Sequence, residues 1–201
     1  MKKTLKIASL AVAFAGFALG AKAQTTTAPA SGSTTTSSNS VIFSVGVEAG
    51  IPTGKLNDNY NFSIGGSVQA DIPVIPNFLF ATVNAGYTSI NGRNNVDGTG
   101  YNATDIQLLP VKAGLKVFPV KYFYIQAEAG AAFALNKSDL GFDKTAAFLY
   151  SPQIGIQLPT IGKSYFDAGV FYQGTTKFNS AVENSKVNYA GLRIAYAFGA
   201  K

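Results

Sequence analysis

Glu48 and Glu128 are the side chains with the best claim to acid–base chemistry, and both fall on the same phase of an alternating pattern as Lys112 and Arg193. A carboxylate pair can pass a proton during catalysis. Two cations on the same face give the four groups a plainer role, a structural network of neutralised charges. Asp139 and Asp143 offer oxygen ligands for Ca²⁺ but lack the dense alternating ligand set of a calcium loop. Gly98-Thr99-Gly100 is loop punctuation, because no helix follows it to cradle a phosphate. His and Cys are both absent, which removes zinc sites and the Ser-His and Cys-His nucleophile pairs. The sequence is therefore expected to hold no catalytic residue, no metal site, no cofactor-binding residue and no cofactor.

The element that positions Lys112 and Glu128 is the stretch Ile106 to Leu135. Leu109, Val111, Ala113, Leu115 and Val117 alternate with Pro110, Lys112, Gly114 and Lys116. After Pro119-Val120-Lys121 the alternation resumes, with Phe123, Ile125, Ala127, Ala129, Ala131, Phe133 and Leu135 on one face. Tyr122, Tyr124, Gln126, Glu128 and Gly130 take the other. A period of two over this length means two strands, and so short a break makes them an antiparallel hairpin. If Phe118 faces Tyr122, Lys112 lies directly opposite Glu128, where opposite charges attract.

The same pattern repeats along the chain. A basic start (Met1-Lys2-Lys3, Lys6), an apolar run over Ile7–Gly20 and the small residues Ala21 and Ala23 predict a signal peptide over residues 1–23, cleaved between Ala23 and Gln24. The run is shorter than the roughly 20 residues a membrane-spanning helix needs. The whole chain carries 16 basic and 10 acidic residues, net +6. Loss of Lys2, Lys3, Lys6 and Lys22 leaves twelve basic against ten acidic, net +2. The remaining cations are dispersed, so no nucleic-acid face is expected. Residues 24–40 are uncharged and Ser/Thr-rich and read as a flexible lead-in. Over residues 41–199, about eight antiparallel strands follow, joined by alternately long and short connections, with no helical periodicity.

Charge placement decides how those strands close. Glu48, Asp71, Lys112, Lys116, Glu128, Asp167 and Arg193 all lie on one phase, and the other phase is uncharged. In a soluble sandwich or lipocalin-like barrel the charged phase faces water and is abundant, but only 13% of this chain is charged. A membrane barrel reverses the sense, with apolar side chains to lipid and polar ones inside, because a basic residue facing mid-bilayer lipid costs about 2–4 kcal/mol. Aromatic residues also fall in two bands. Phe43, Phe123, Phe166 and Phe198 lie toward the short turns, and Phe62, Tyr87, Phe133, Phe148 and Tyr172 toward the long loops. The predicted fold is all-β, an antiparallel up-and-down transmembrane β-barrel.

The signal peptide, the alternating strands and the ending Gly191–Phe198 (GLRIAYAF) resemble the small, eight-stranded outer-membrane β-barrel proteins of Gram-negative bacteria. The resemblance implies a location in the outer membrane, contact with its lipid, and recognition of the Gly191–Phe198 strand by the barrel assembly machinery through Ile194, Tyr196 and Phe198. Such chains often end on the aromatic itself, whereas Gly199-Ala200-Lys201 follow here. The family's hydrolases use His, so this chain is expected not to be an enzyme. Eight strands enclose a space that side chains fill. Glu48, Lys112, Glu128 and Arg193 are then an interior charge network that plugs the barrel. The expected role is structural or surface-interacting, in adhesion or envelope integrity, through loops whose ligand is unknown. The alternative is a small porin-like channel.

Overall fold

The computed structural model describes residues 40–94, 100, 102–160, 162, 164–179 and 185–199. The signal peptide with its Ala23–Gln24 junction, the lead-in before Ser40, and Gly98-Thr99 lie outside them. Eight strands form a closed barrel in sequence order: β1 (Ile42–Pro52), β2 (Tyr60–Ile75), β3 (Leu79–Gly92), β4 (Ile106–Val120), β5 (Phe123–Ala134), β6 (Ala146–Pro159), β7 (Ser164–Thr175) and β8 (Asn188–Gly199). Every neighbouring pair is antiparallel, including the β1–β8 closure. No sheet edge is left unpaired.

The register sets the size of the enclosed space. Cross-strand partners lead from Phe43 through Ala70, Val83, Ala113, Ala129, Tyr150, Gly174 and Asn188. The path returns to β1 at Thr53, whose N–H bonds the Asn188 carbonyl at 2.9 Å, ten residues beyond Phe43. That stagger over eight strands tilts them about 40° and gives a backbone radius of about 8 Å. Each residue then rises about 2.5 Å along the barrel axis. The ten residues from Phe123 to Phe133 therefore span about 25 Å, the height of the apolar band on membrane barrels.

Alternation assigns the two faces. Val45, Val47, Ile64, Val68, Val83, Leu115, Ile125, Ile154, Val170 and Leu192 are exposed on the outer wall. All seven charged residues of the strands point inward and are between 1% and 8% exposed. Phe62, Tyr87, Phe133, Phe148, Phe166 and Phe198 are exposed near the strand ends, and Phe43 packs beside Phe198 with ring centroids 6.3 Å apart.

Two expectations change. Lys112 is paired with Gly130, and Glu128 with Gly114, rather than with each other. The β4–β5 turn is tighter than expected. Only Lys121 and Tyr122 separate the strands, Tyr122 adopts a left-handed φ of 71°, and a register shift between Val117 and Val120 takes up the slack. The resulting offset is two residues, so the phase survives and Lys112 reaches Glu128 diagonally. The second change concerns the connections. Strands run deeper into them than expected, β3 reaching Gly92 and β2 spanning Tyr60–Ile75. One-turn helices occupy Leu56–Asn59 and Lys137–Leu140. Four residues are too few to show a helical period.

The outer wall makes a test. Val47 is 66% exposed at mid-height. Val47→Lys is expected to lower the unfolding free energy in phosphatidylcholine vesicles by about 2–4 kcal/mol, with Val47→Leu near neutral, as read by urea titration. Equal losses in the two variants would mean that Val47 does not face lipid.

Candidate functional site

The space inside the barrel is built in three tiers. The middle tier is ionic. Lys116, 1% exposed, sits between two carboxylates, with Nζ 3.1 Å from Asp71 Oδ2 and 3.0 Å from Asp167 Oδ2. Its ammonium also lies 4.1 Å from the centroid of the Tyr124 ring, a favourable cation–π position. Asp167 accepts a hydrogen bond from the Tyr124 hydroxyl at 2.8 Å and lies 3.5 Å from Arg193 Nη1. Arg193 Nε donates to Ser67 Oγ at 3.1 Å and Nη2 to Ser44 Oγ at 3.0 Å. Ser67 donates to Glu48 Oε1 at 2.6 Å, which lies 3.7 Å from Arg193 Nε. On the other side Gln69 donates to Asp71 at 2.6 Å and exchanges 3.2 Å bonds with Gln126. A separate pair joins Lys112 Nζ to Glu128 Oε2 at 3.3 Å, with Thr82 donating to Glu128 Oε1 at 3.0 Å.

Neighbouring strands make room for these side chains. A Cβ at Gly155 would lie 2.5 Å from the Tyr124 hydroxyl, and one at Gly169 would lie 2.7 Å from it. Glycine is needed there because the Tyr124 side chain lies over both positions, on the two neighbouring strands.

The outer and inner tiers are apolar. Toward the long loops, Ile90, Ile106, Leu108, Leu149, Phe171 and Tyr189 form a core that also takes in Phe178 and Val187 from the β7–β8 connection. Phe178 is fully buried and stacks on Phe142 of the β5–β6 connection at 4.8 Å, so two loops fold into the barrel mouth. At the short-turn end Ile42, Phe80 and Ala197 pack with Phe118 and Tyr165. Uniform polarity on the inward phase therefore fails near both ends, where side chains pack against loops and turns instead of against other charges.

Of the residues expected to share a network, Glu48 meets Arg193 and Lys112 meets Glu128, in separate groups. The hub is the set that phase alone did not single out: Lys116, Asp71 and Asp167, with Tyr124. The lumen holds three cations and four carboxylates. Glu48 and Glu128 are buried among cationic and hydroxyl partners, a setting for ion pairing. Among the described residues no cluster of three or more His, Cys, Asp or Glu side chains suits a metal ion, and Asp139 lies in the short helix Lys137–Leu140.

No protein-family model matches the sequence, and no curated protein matches it. Solved structures do. The outer membrane protein AlkL, determined by solid-state NMR in DMPC bilayers, aligns at 12% identity and a TM-score of 0.50, over 89% of this chain and 97% of that one. Ail, the attachment invasion locus protein of Yersinia pestis, aligns at 14% identity and 0.48, over 80% and 99%. The NanC porin aligns at 12% identity and 0.34, over 80% and 86%. At these identities the likeness is one of fold. The chain has the fold of the small eight-stranded outer-membrane β-barrels.

The hub predicts an asymmetry among its members. Lys116→Met leaves the buried Asp71 without a cationic partner, while Asp167 keeps Arg193 and Tyr124, and is expected to destabilise the barrel by about 3–5 kcal/mol. Adding Asp71→Asn to it is expected to recover part of the loss, because the uncompensated charge is gone. Urea midpoints in lipid vesicles read both. A double variant less stable than Lys116→Met would mean that Asp71 has another cationic partner.

Proposed function

We propose that this protein is an integral outer-membrane β-barrel, exported through a signal peptide cleaved between Ala23 and Gln24. Its interior is closed, and it acts non-catalytically through its long loops, in adhesion or envelope integrity. The observation that carries the reading is the filled lumen. Arg193, Lys116, Tyr124, Gln126 and Tyr189, all 2% exposed or less, are packed inside it. Two apolar tiers close it above and below. An uncharged, exposed apolar wall about 25 Å tall supports insertion in lipid. The alternating strand Gly191–Phe198 supports delivery by the barrel assembly machinery. The loops are then the part free to vary and to meet a partner.

Planar-bilayer recording of the refolded barrel tests the closed interior. No conductance above the lipid baseline is expected. Stable, reproducible steps would assign the chain instead to small porin-like channels for ions or solutes. Expression in a Gram-negative host tests export. The protein is expected in the outer-membrane fraction, with heat-modifiable gel migration and an intact mass that begins at Gln24. Retention of residues 1–23 in the inner membrane would contradict it.

A further inference from the structure

At the long-loop end a cleft of about 220 Å³ opens between the β1–β2, β5–β6 and β7–β8 connections. Its floor is the top of the apolar tier, where the half-buried Leu56, Tyr60 and Phe142 pack against the core that holds Ile106 and Val187. Its rim is charged, with Lys55, Asp58 and Lys186 all exposed.

The floor is held in place. Phe142 is stacked on the buried Phe178 with an interplanar angle of 12°. Val187 N donates to Thr175 Oγ1 at 2.9 Å, and its carbonyl accepts from Thr175 N at 3.1 Å. An apolar surface fixed before the ligand arrives loses little freedom on binding.

We propose that this cleft binds a small amphipathic anion, its ring or chain on Leu56, Tyr60 and Phe142 and its acidic group between Lys55 and Lys186. Two ammonium groups against one carboxylate leave the rim positive, which selects an anion over a cation. Size follows from volume. An apolar cavity of roughly 150 Å³ takes one benzene, so this cleft takes a phenyl ring carrying a short acidic arm. Lysine ammonium groups are mobile point charges that accept a carboxylate without fixed bidentate geometry. The proposal rests on the reading of the loops as the working surface. The two fail separately: binding is measured on the isolated barrel whether or not it conducts, and conductance does not depend on the cleft.

The test uses the full barrel in phosphatidylcholine nanodiscs, titrated with 3-phenylpropanoate, 3-phenylpropanol and 3-phenylpropylamine. Methyl NMR shifts of Ile106 and Val187 report occupancy. The expected order is carboxylate tightest, alcohol weaker, amine weakest. Lys55→Gln with Lys186→Gln is expected to weaken carboxylate binding about fivefold and to remove its advantage over the alcohol. Leu56→Trp, at the cleft wall, is expected to block all three. If a variant loses heat-modifiable migration, salt gives the same information on the native chain. Raising NaCl from about 0.1 M to about 1 M shortens screening from about 10 Å to about 3 Å, and weakens only the carboxylate. Absence of saturable shifts, an amine that binds tightest, or a carboxylate insensitive to both salt and the double substitution would overturn the proposal.

Discussion

Seven ionised side chains enclosed by one wall of strands must satisfy one another, and most of this structure follows from that. Water and lipid headgroups do not reach Lys116 or Arg193, so each charge requires a partner placed by a different strand. Asp71 comes from β2, Lys116 from β4, Asp167 from β7 and Arg193 from β8. A change in the stagger of any one strand would slide its charge away from the others. The register is thus written twice, once in backbone hydrogen bonds and once in side-chain charge.

The wall was legible in the sequence because a period of two is a property of each strand alone. Val45, Val47 and Ala49 report their face without knowledge of any neighbour. The contacts inside were only half legible. Phase placed Asp71, Lys116 and Asp167 in the lumen, but which charges meet depends on the stagger around the barrel. A single chain gives no direct measure of that stagger. Lys112 and Glu128 show the limit. The register lies two residues from the one the turn predicts, yet the pair still forms, because both side chains are long enough to reach along a diagonal. Phe178 had no readable signal. It sits in a polar connection, and its burial arises from Phe142 on another loop.

The tiers divide labour by chemistry. Ions in the middle specify which strands are neighbours and at what height, since mismatched charges in a confined space are costly. Apolar packing at the two ends excludes water, which makes the ionic tier both stronger and less forgiving. Glycines such as Gly155 and Gly169 belong to the same economy of space. Inside a backbone radius of about 8 Å, Tyr124 can lie along the wall only because the adjoining positions on β6 and β7 carry no side chain.

The β1–β8 seam gives this barrel an order of events. Seven seams join strands that are neighbours in the chain, and hairpins form locally and early. The eighth joins the first strand to the last. Arg193 donates to Ser44, 149 residues away, and closing a loop of that span is slow. Until β8 docks, β1 and β7 each present a bare edge, the surface on which chains join one another into aggregates. Arg193 enters with that final strand and brings the third cation to a lumen that otherwise holds two. Sealing the wall and bringing a cation to Glu48 and Asp167 are therefore one step, and a chain halted before Arg193 would have neither.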